Sequence, residues 1–98
     1  MPELTGKQLR FLRSSAHHLK VVVSVGARGV TRAVVDELDG ALRSHELVKV
    51  RLAGEDREER ERCLERLCAA TGSAPVQMIG KTGVVYRPAP EPRIVLPA

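Results

Sequence analysis

Aromatic residues are almost missing from this 98-residue chain: Phe11 and Tyr86 are the only two, and tryptophan is absent. That excludes recognition by a platform of exposed rings on which nucleic-acid bases stack. Long apolar runs are missing too. Val21 to Val23 is interrupted by Ser24, far short of the ~18 residues a membrane-spanning helix needs. Cysteine is scarce: Cys63 and Cys68 lie five apart in a segment that reads as helical. That spacing separates them by about 7.5 Å along the axis and turns them to different sides, too far apart to bridge, so they read as small core residues. The start, Met1-Pro2-Glu3, lacks a charged region followed by an apolar one. No secretory signal is expected, and a reducing cytoplasm is the default location. His17-His18 and His45 stand without cysteine or acid at ligand spacing. Ser14, Ser15 and His18 form no nucleophile–base arrangement. No metal, no cofactor, no small-molecule substrate and no catalytic residue is expected.

What is present is an ordinary globular balance, 43% apolar and 29% charged, in a length that allows one domain. Leu4-Thr5-Gly6-Lys7-Gln8-Leu9 is a helix start, with Thr5 and Gln8 placed for a capping box and Leu4 and Leu9 for a staple. Leu9, Leu12, Ala16 and Leu19 continue at helical spacing, predicting a helix over about Gly6 to His17. Lys20 to Val25 is short, β-branched and nearly all apolar, the pattern of a strand buried on both faces. After Gly26-Ala27-Arg28-Gly29, Val30, Val34, Leu38, Ala41 and Leu42 mark a second helix to Ser44, with Gly40 inside it as a candidate for close packing. Leu47 to Ala53 alternates as a strand with one buried face. Glu55, Asp56, Glu58 and Glu59 open a third helix that Gly72 ends. Pro75 to Ile79 and Val84 to Arg87 flank a hairpin at Gly80-Lys81-Thr82-Gly83. The tail from Pro88 to Ala98 is proline-rich and extended, with Ile94 to Leu96 able to dock.

The expected fold class is α/β: a single compact domain over 1–98, ordered α-β-α-β-α-β-β, with a four-stranded mixed sheet and three helices. The strand–helix–strand unit from Lys20 to Ala53 should be parallel. Val22, Val25, Val34, Leu38, Val50, Leu52, Leu64 and Leu67 should populate the core.

Charge is uneven. The whole chain carries +4, but residues 54–66 hold six acids and four bases while residues 1–35 hold six bases against Glu3. A basic half beside a mixed helix suggests a polyanionic partner. The segment strand–Gly26-Ala27-Arg28-Gly29–helix fits one. Two glycines three apart let the backbone approach a ligand, the next helix points free N–H groups at the spot, and Arg28 adds a forked cation suited to phosphate. A G-x-x-G loop clamps a nucleic-acid backbone in this way in KH-type modules. Lys20 and Arg32 flank the loop and can converge on it. Gly80-Lys81-Thr82-Gly83 is a second G-x-x-G, but Pro75 stands where a phosphate-binding Walker loop needs glycine. It reads as a hairpin turn whose Lys81 can touch a phosphate. Glu58→Lys, on the third helix, should weaken no such contact.

Several separated motifs then resemble one family. Ala16-His17-His18-Leu19-Lys20, Val25-Gly26-Ala27-Arg28-Gly29-Val30-Thr31, His45-Glu46-Leu47-Val48-Lys49-Val50, Ile79-Gly80-Lys81-Thr82 and Tyr86-Arg87-Pro88 resemble the CRM domain (chloroplast RNA splicing and ribosome maturation), in its stand-alone bacterial YhbY-type form. The sequence departs from the family's usual residues at Val21, Arg32 and Gly83. The resemblance implies a fold like the C-terminal domain of translation initiation factor three. It implies binding to ribosomal RNA in precursors of the large ribosomal subunit. A monomer is expected. The RNA-binding positions it implies are Gly26, Ala27, Arg28 and Gly29 in the loop and Lys20, Lys49 and Lys81 on the basic surface, to which Arg32 adds. Two other readings stay open from the residues: a nucleic-acid module acting elsewhere, on transfer RNA, messenger or DNA, or a protein-interaction domain whose basic face meets an acidic partner.

Overall fold

The computed structural model describes residues 3–98. Seven elements follow in order: α1 (Gly6–Ala16), β1 (Val21–Ser24), α2 (Arg32–His45), β2 (Leu47–Arg51), α3 (Arg57–Thr71), β3 (Ala74–Ile79) and β4 (Thr82–Tyr86). The four strands form one sheet in the order β1-β2-β4-β3. β1 and β2 are parallel, and the other two pairs are antiparallel. The expected α/β architecture with its mixed sheet is thus the observed one, and no described helix is long and apolar enough to cross a membrane.

Helix boundaries follow local chemistry. Thr5 Oγ1 accepts from Gln8 N–H while the Gln8 side chain accepts from Thr5 N–H, a complete capping box at α1. Thr31 caps α2 by accepting from Val34 N–H at 3.2 Å, so this helix begins at Arg32 and not at Val30. Asp56 caps α3, whose first turn carries Glu58 and Glu59, and Gly72 ends it in the left-handed conformation at φ +67°.

Helices cover both faces of the sheet. α2 and α3 pack on one face around Val23, Leu38, Leu42, Val50, Leu67 and Val85. α1 packs on the other around Leu12, Ala16, Leu47, Val76, Val84 and Tyr86, and Ile94 and Leu96 of the tail join that cluster. The two central strands therefore carry side chains into both cores: Leu47 and Tyr86 pair in one, Val48 and Val85 in the other.

This corrects the expectation for β1. It lies at the sheet edge, and α1 lies over the other three strands. Val23 is buried, but Val22 is 53% exposed and no core residue. An apolar β-branched run cannot distinguish an edge strand with one covered face from a central one. Val34 is half-buried at the rim of the α2–α3 core. Gly40 has open space where a Cβ would stand, so close packing does not explain it. Gly83 is the glycine that close packing does explain: a Cβ there would lie 3.0 Å from Leu64 Cδ1 and 3.2 Å from Leu52 Cδ1. The β3–β4 turn is only Gly80-Lys81, with Gly80 at φ +56°. The two glycines of the second G-x-x-G thus serve unrelated purposes. Both cysteines are free and buried.

Candidate nucleic-acid interface

Backbone pairing gathers three turns at one end of the sheet. Val25 N–H donates to Arg51 O at 2.9 Å, and Leu52 N–H donates to Lys81 O at 2.7 Å. The Gly26–Gly29 loop, the Ala53-Gly54 turn and the Gly80-Lys81 turn all leave the sheet there. Lys81, two strands from β1, is about 10 Å across the sheet from the loop. The loop itself is closed by Gly29 N–H donating to Gly26 O at 2.9 Å. Gly29 has φ +76°, a conformation that suits glycine and strains other residues. A Cβ at Gly26 or Gly29 would meet nothing within 4 Å, and Ala27 and Arg28 are exposed, so the loop stands open to a ligand.

α2 starts three residues beyond Gly29. Its N-cap occupies the N–H of Val34, which leaves those of Arg32 and Ala33 in the first turn. Arg32 is itself exposed and pairs with Asp36 at 3.4 Å. So exposed a pair holds its cation weakly, and the guanidinium is available to an anion.

Lys20 does not join this group. It precedes β1 at the far end of the strand, about 20 Å along the chain from Gly26. It lies instead with Lys49: both line a groove of about 330 Å³ on the α1 face, with Ser15, Val22 and His45. Lys49 also lines the adjoining groove with Arg13 and His17. The eight positions inferred from sequence thus fall into two clusters. Gly26, Ala27, Arg28, Gly29, Arg32 and Lys81 form the loop end. Lys20 and Lys49 form a second basic site on one sheet face.

Arg62 and Arg66, which the sequence reading missed, join the loop end. With Glu59 and Cys63 they present one side of α3 to Ala27, Gly29, Val30, Ala53 and Gly54 across a groove of about 270 Å³. α3 is therefore not uniformly acidic. Glu58, Glu61 and Glu65 lie along one side, and Arg62 and Arg66 along the side that faces the loop. Net charge over 54–66 averages these stripes away. The i, i+4 spacing of Arg62 and Arg66 beside buried Cys63 was the available signal. It also makes Glu58, one turn before Arg62, a poor control position. Among the described residues, Arg28, Arg62, Arg66, Lys20, Lys49 and Lys81 enter no ion pair, nor do Lys7, Arg10, Arg13, Arg51 and Arg60, whereas Arg32, Arg43, Arg57, Arg87 and Arg93 do.

Cations that no acid of the protein pairs thus surround an open glycine loop at one end of a three-helix α/β domain. Residues 4–87 match the CRS1 / YhbY (CRM) domain, and the chain belongs to that family. It is 44% identical over 97 residues to an RNA-binding protein of Haemophilus influenzae, covering 99% of this chain and 98% of that one. It is 46% identical over 89 residues to a probable RNA-binding protein of Pseudomonas aeruginosa, covering 91% and 86%. The solution structure of a hypothetical protein from Staphylococcus aureus superposes with a TM-score of 0.85 at 35% identity, covering 97% of this chain and all of that one.

Proposed function

We propose that this chain binds structured RNA as a monomer in the cytoplasm, and that the RNA is ribosomal, met in precursors of the large subunit. RNA binding is what its relatives are named for. The ribosomal assignment rests on the family resemblance. The observation that carries the site is the open Gly26–Gly29 loop with Arg28, Arg62, Arg66 and Lys81 around it, none neutralised by an acid of the protein. Phosphate approaches the loop backbone, the Arg32 and Ala33 N–H groups favour its charge, and the arginines bind it through forked donors. The second site at Lys20 and Lys49 extends the footprint along the α1 face. With Tyr86 buried and Phe11 alone on α1, base stacking contributes little. Affinity comes from phosphate and shape, and the module binds without catalysing a reaction or requiring a cofactor.

The test is a salt titration against structured ribosomal RNA fragments. Arg28→Glu should weaken binding to all of them by a similar factor and lower the salt slope by about one. Glu37→Gln, exposed on α2 and turned away from Arg32, is the control. Crosslinking in cells followed by sequencing should recover large-subunit ribosomal RNA. If Arg28→Glu binds as tightly as the parent at ~0.1 M salt with an unchanged circular dichroism spectrum, the loop is only a turn. A parent that binds RNA without salt dependence would sink the phosphate reading altogether.

A further inference from the structure

We propose that the groove between the Gly26–Gly29 loop and α3 is a seat for one unpaired nucleotide, so that the protein prefers RNA with a bulged or flipped-out residue to continuous duplex. This rests on the RNA-binding reading above and deepens it.

The groove walls carry little bulk. Ala27, Gly29, Ala53 and Gly54 bring almost no side chain, and Val30 and Cys63 supply an apolar floor. Gly54 is fixed in this role: at φ +132°, its Cβ would fall 2.7 Å from Glu59 Cβ and 2.9 Å from Arg60 N. The turn is thereby pressed against the start of α3, and the resulting space, about 270 Å³, is of a size for one nucleotide and too small to take in a helix of RNA. A duplex meets the loop and the exposed cations but cannot enter.

Charge then sets the orientation of what does enter. Arg62 and Arg66 stand one turn apart on α3, about 6 Å along its axis, and offer two forked cations to the phosphates on either side of a displaced residue. Glu59 is the single acid of the lining, and its Oε2 accepts from Glu55 N–H at 3.1 Å, which holds it in place. A carboxylate there repels phosphate. The phosphates therefore sit on the arginine rim, and the uncharged base lies inward against the small residues and the apolar floor. No aromatic ring takes part, so binding follows the displaced geometry more than the identity of the base.

Two RNA hairpins with the same stem, one fully paired and one carrying a single unpaired nucleotide, test this. The parent should bind the bulged hairpin about tenfold tighter at ~0.1 M salt. Arg62→Ala with Arg66→Ala, both exposed and unpaired, should remove that preference and lower the salt slope on the bulged RNA by about two. Ala27→Leu adds bulk at the mouth without changing charge, and should abolish the preference by weakening the bulged hairpin more than the paired one. Equal binding of the two hairpins by the parent, or a preference that survives either variant, overturns the nucleotide seat and leaves general RNA binding intact. Failure of the parent to bind either hairpin overturns the RNA reading itself. Melting temperatures matching the parent keep the variants interpretable.

Discussion

Glu46 is a buried carboxylate at the junction of α2 and β2, 1% exposed and at φ +62°, an uncommon conformation for a residue with a side chain. Its Oε1 accepts from the N–H groups of Arg93 and Ile94 at 2.8 and 3.0 Å, and Oε2 from that of Ala89 at 2.8 Å. Burial pushes this carboxyl up, but those three donors and the Arg93 guanidinium outweigh it and hold it below the ordinary carboxylate range. Glu46→Gln replaces one acceptor by an amide that faces N–H donors, and should cost about 2 kcal/mol in denaturant unfolding at neutral pH. A group whose folded pKa is depressed contributes above its unfolded value and ceases to contribute as pH falls through the folded one. The gap between parent and variant should therefore narrow in acid; a gap that widens there contradicts this account. Gly54 is the other residue on which much depends. Gly54→Ala combines a left-handed φ with backbone overlap at Arg60 N, and should destabilise by about 2–3 kcal/mol in the same measurement.

At the scale of elements, α2 contains its own contrast. Gly40 sits mid-helix with nothing near the place of a Cβ. Gly40→Ala should stabilise by about 0.5–1 kcal/mol, read as a higher melting temperature with RNA affinity unchanged. A loss of stability would mean that the helix–sheet contact needs the glycine after all. The elements themselves were legible because their signals are local. Thr5 with Gln8, the Asp56 cap with its acidic first turn, and the alternation through Val48, Val50 and Leu52 each fix one boundary or one face. Sheet order was less legible. Val21 to Val23 reads alike at an edge or in the centre, and only the placement of α1 over β2, β3 and β4 decides it. The Gly26–Gly29 loop was legible as a motif. Its second wall was not, because Arg62 and Arg66 reach it from more than thirty residues away, through the packing of α3 beside α2.

At the scale of the whole molecule, two depressed carboxyls lie where the chain leaves the sheet. Asp39 is held below its ordinary range first by its hydrogen bond from Arg87 Nη1 at 2.5 Å, with the charges of Arg87 and Arg43 adding to it against desolvation. Arg87 also donates to Thr71 O at 2.8 Å, so it joins the middle of α2 and the end of α3 to the end of β4. With Glu46 behaving likewise, stability should fall steeply below about pH 4, and a variant carrying both Asp39→Asn and Glu46→Gln should show a shallower acid limb by chemical denaturation. Beyond residue 87, where the family match ends, the chain adopts no helix or strand. Glu46 nonetheless binds it at three amides, Gln8 Nε2 donates to Pro97 O at 3.1 Å, and Arg93 donates to the carbonyls of Arg43 and Ser44 at the end of α2. Order in this segment thus rests on a few side chains, Glu46 foremost, and not on a repeating ladder. Its solvent exchange should reveal that. The amide protons of Ala89, Arg93 and Ile94 should trade with deuterium slowly, as those of a core strand do, while Val95 between docked neighbours trades freely. In Glu46→Gln all three slow protons should become fast together, as one small cooperative unit that can open while the sheet beneath it stays closed.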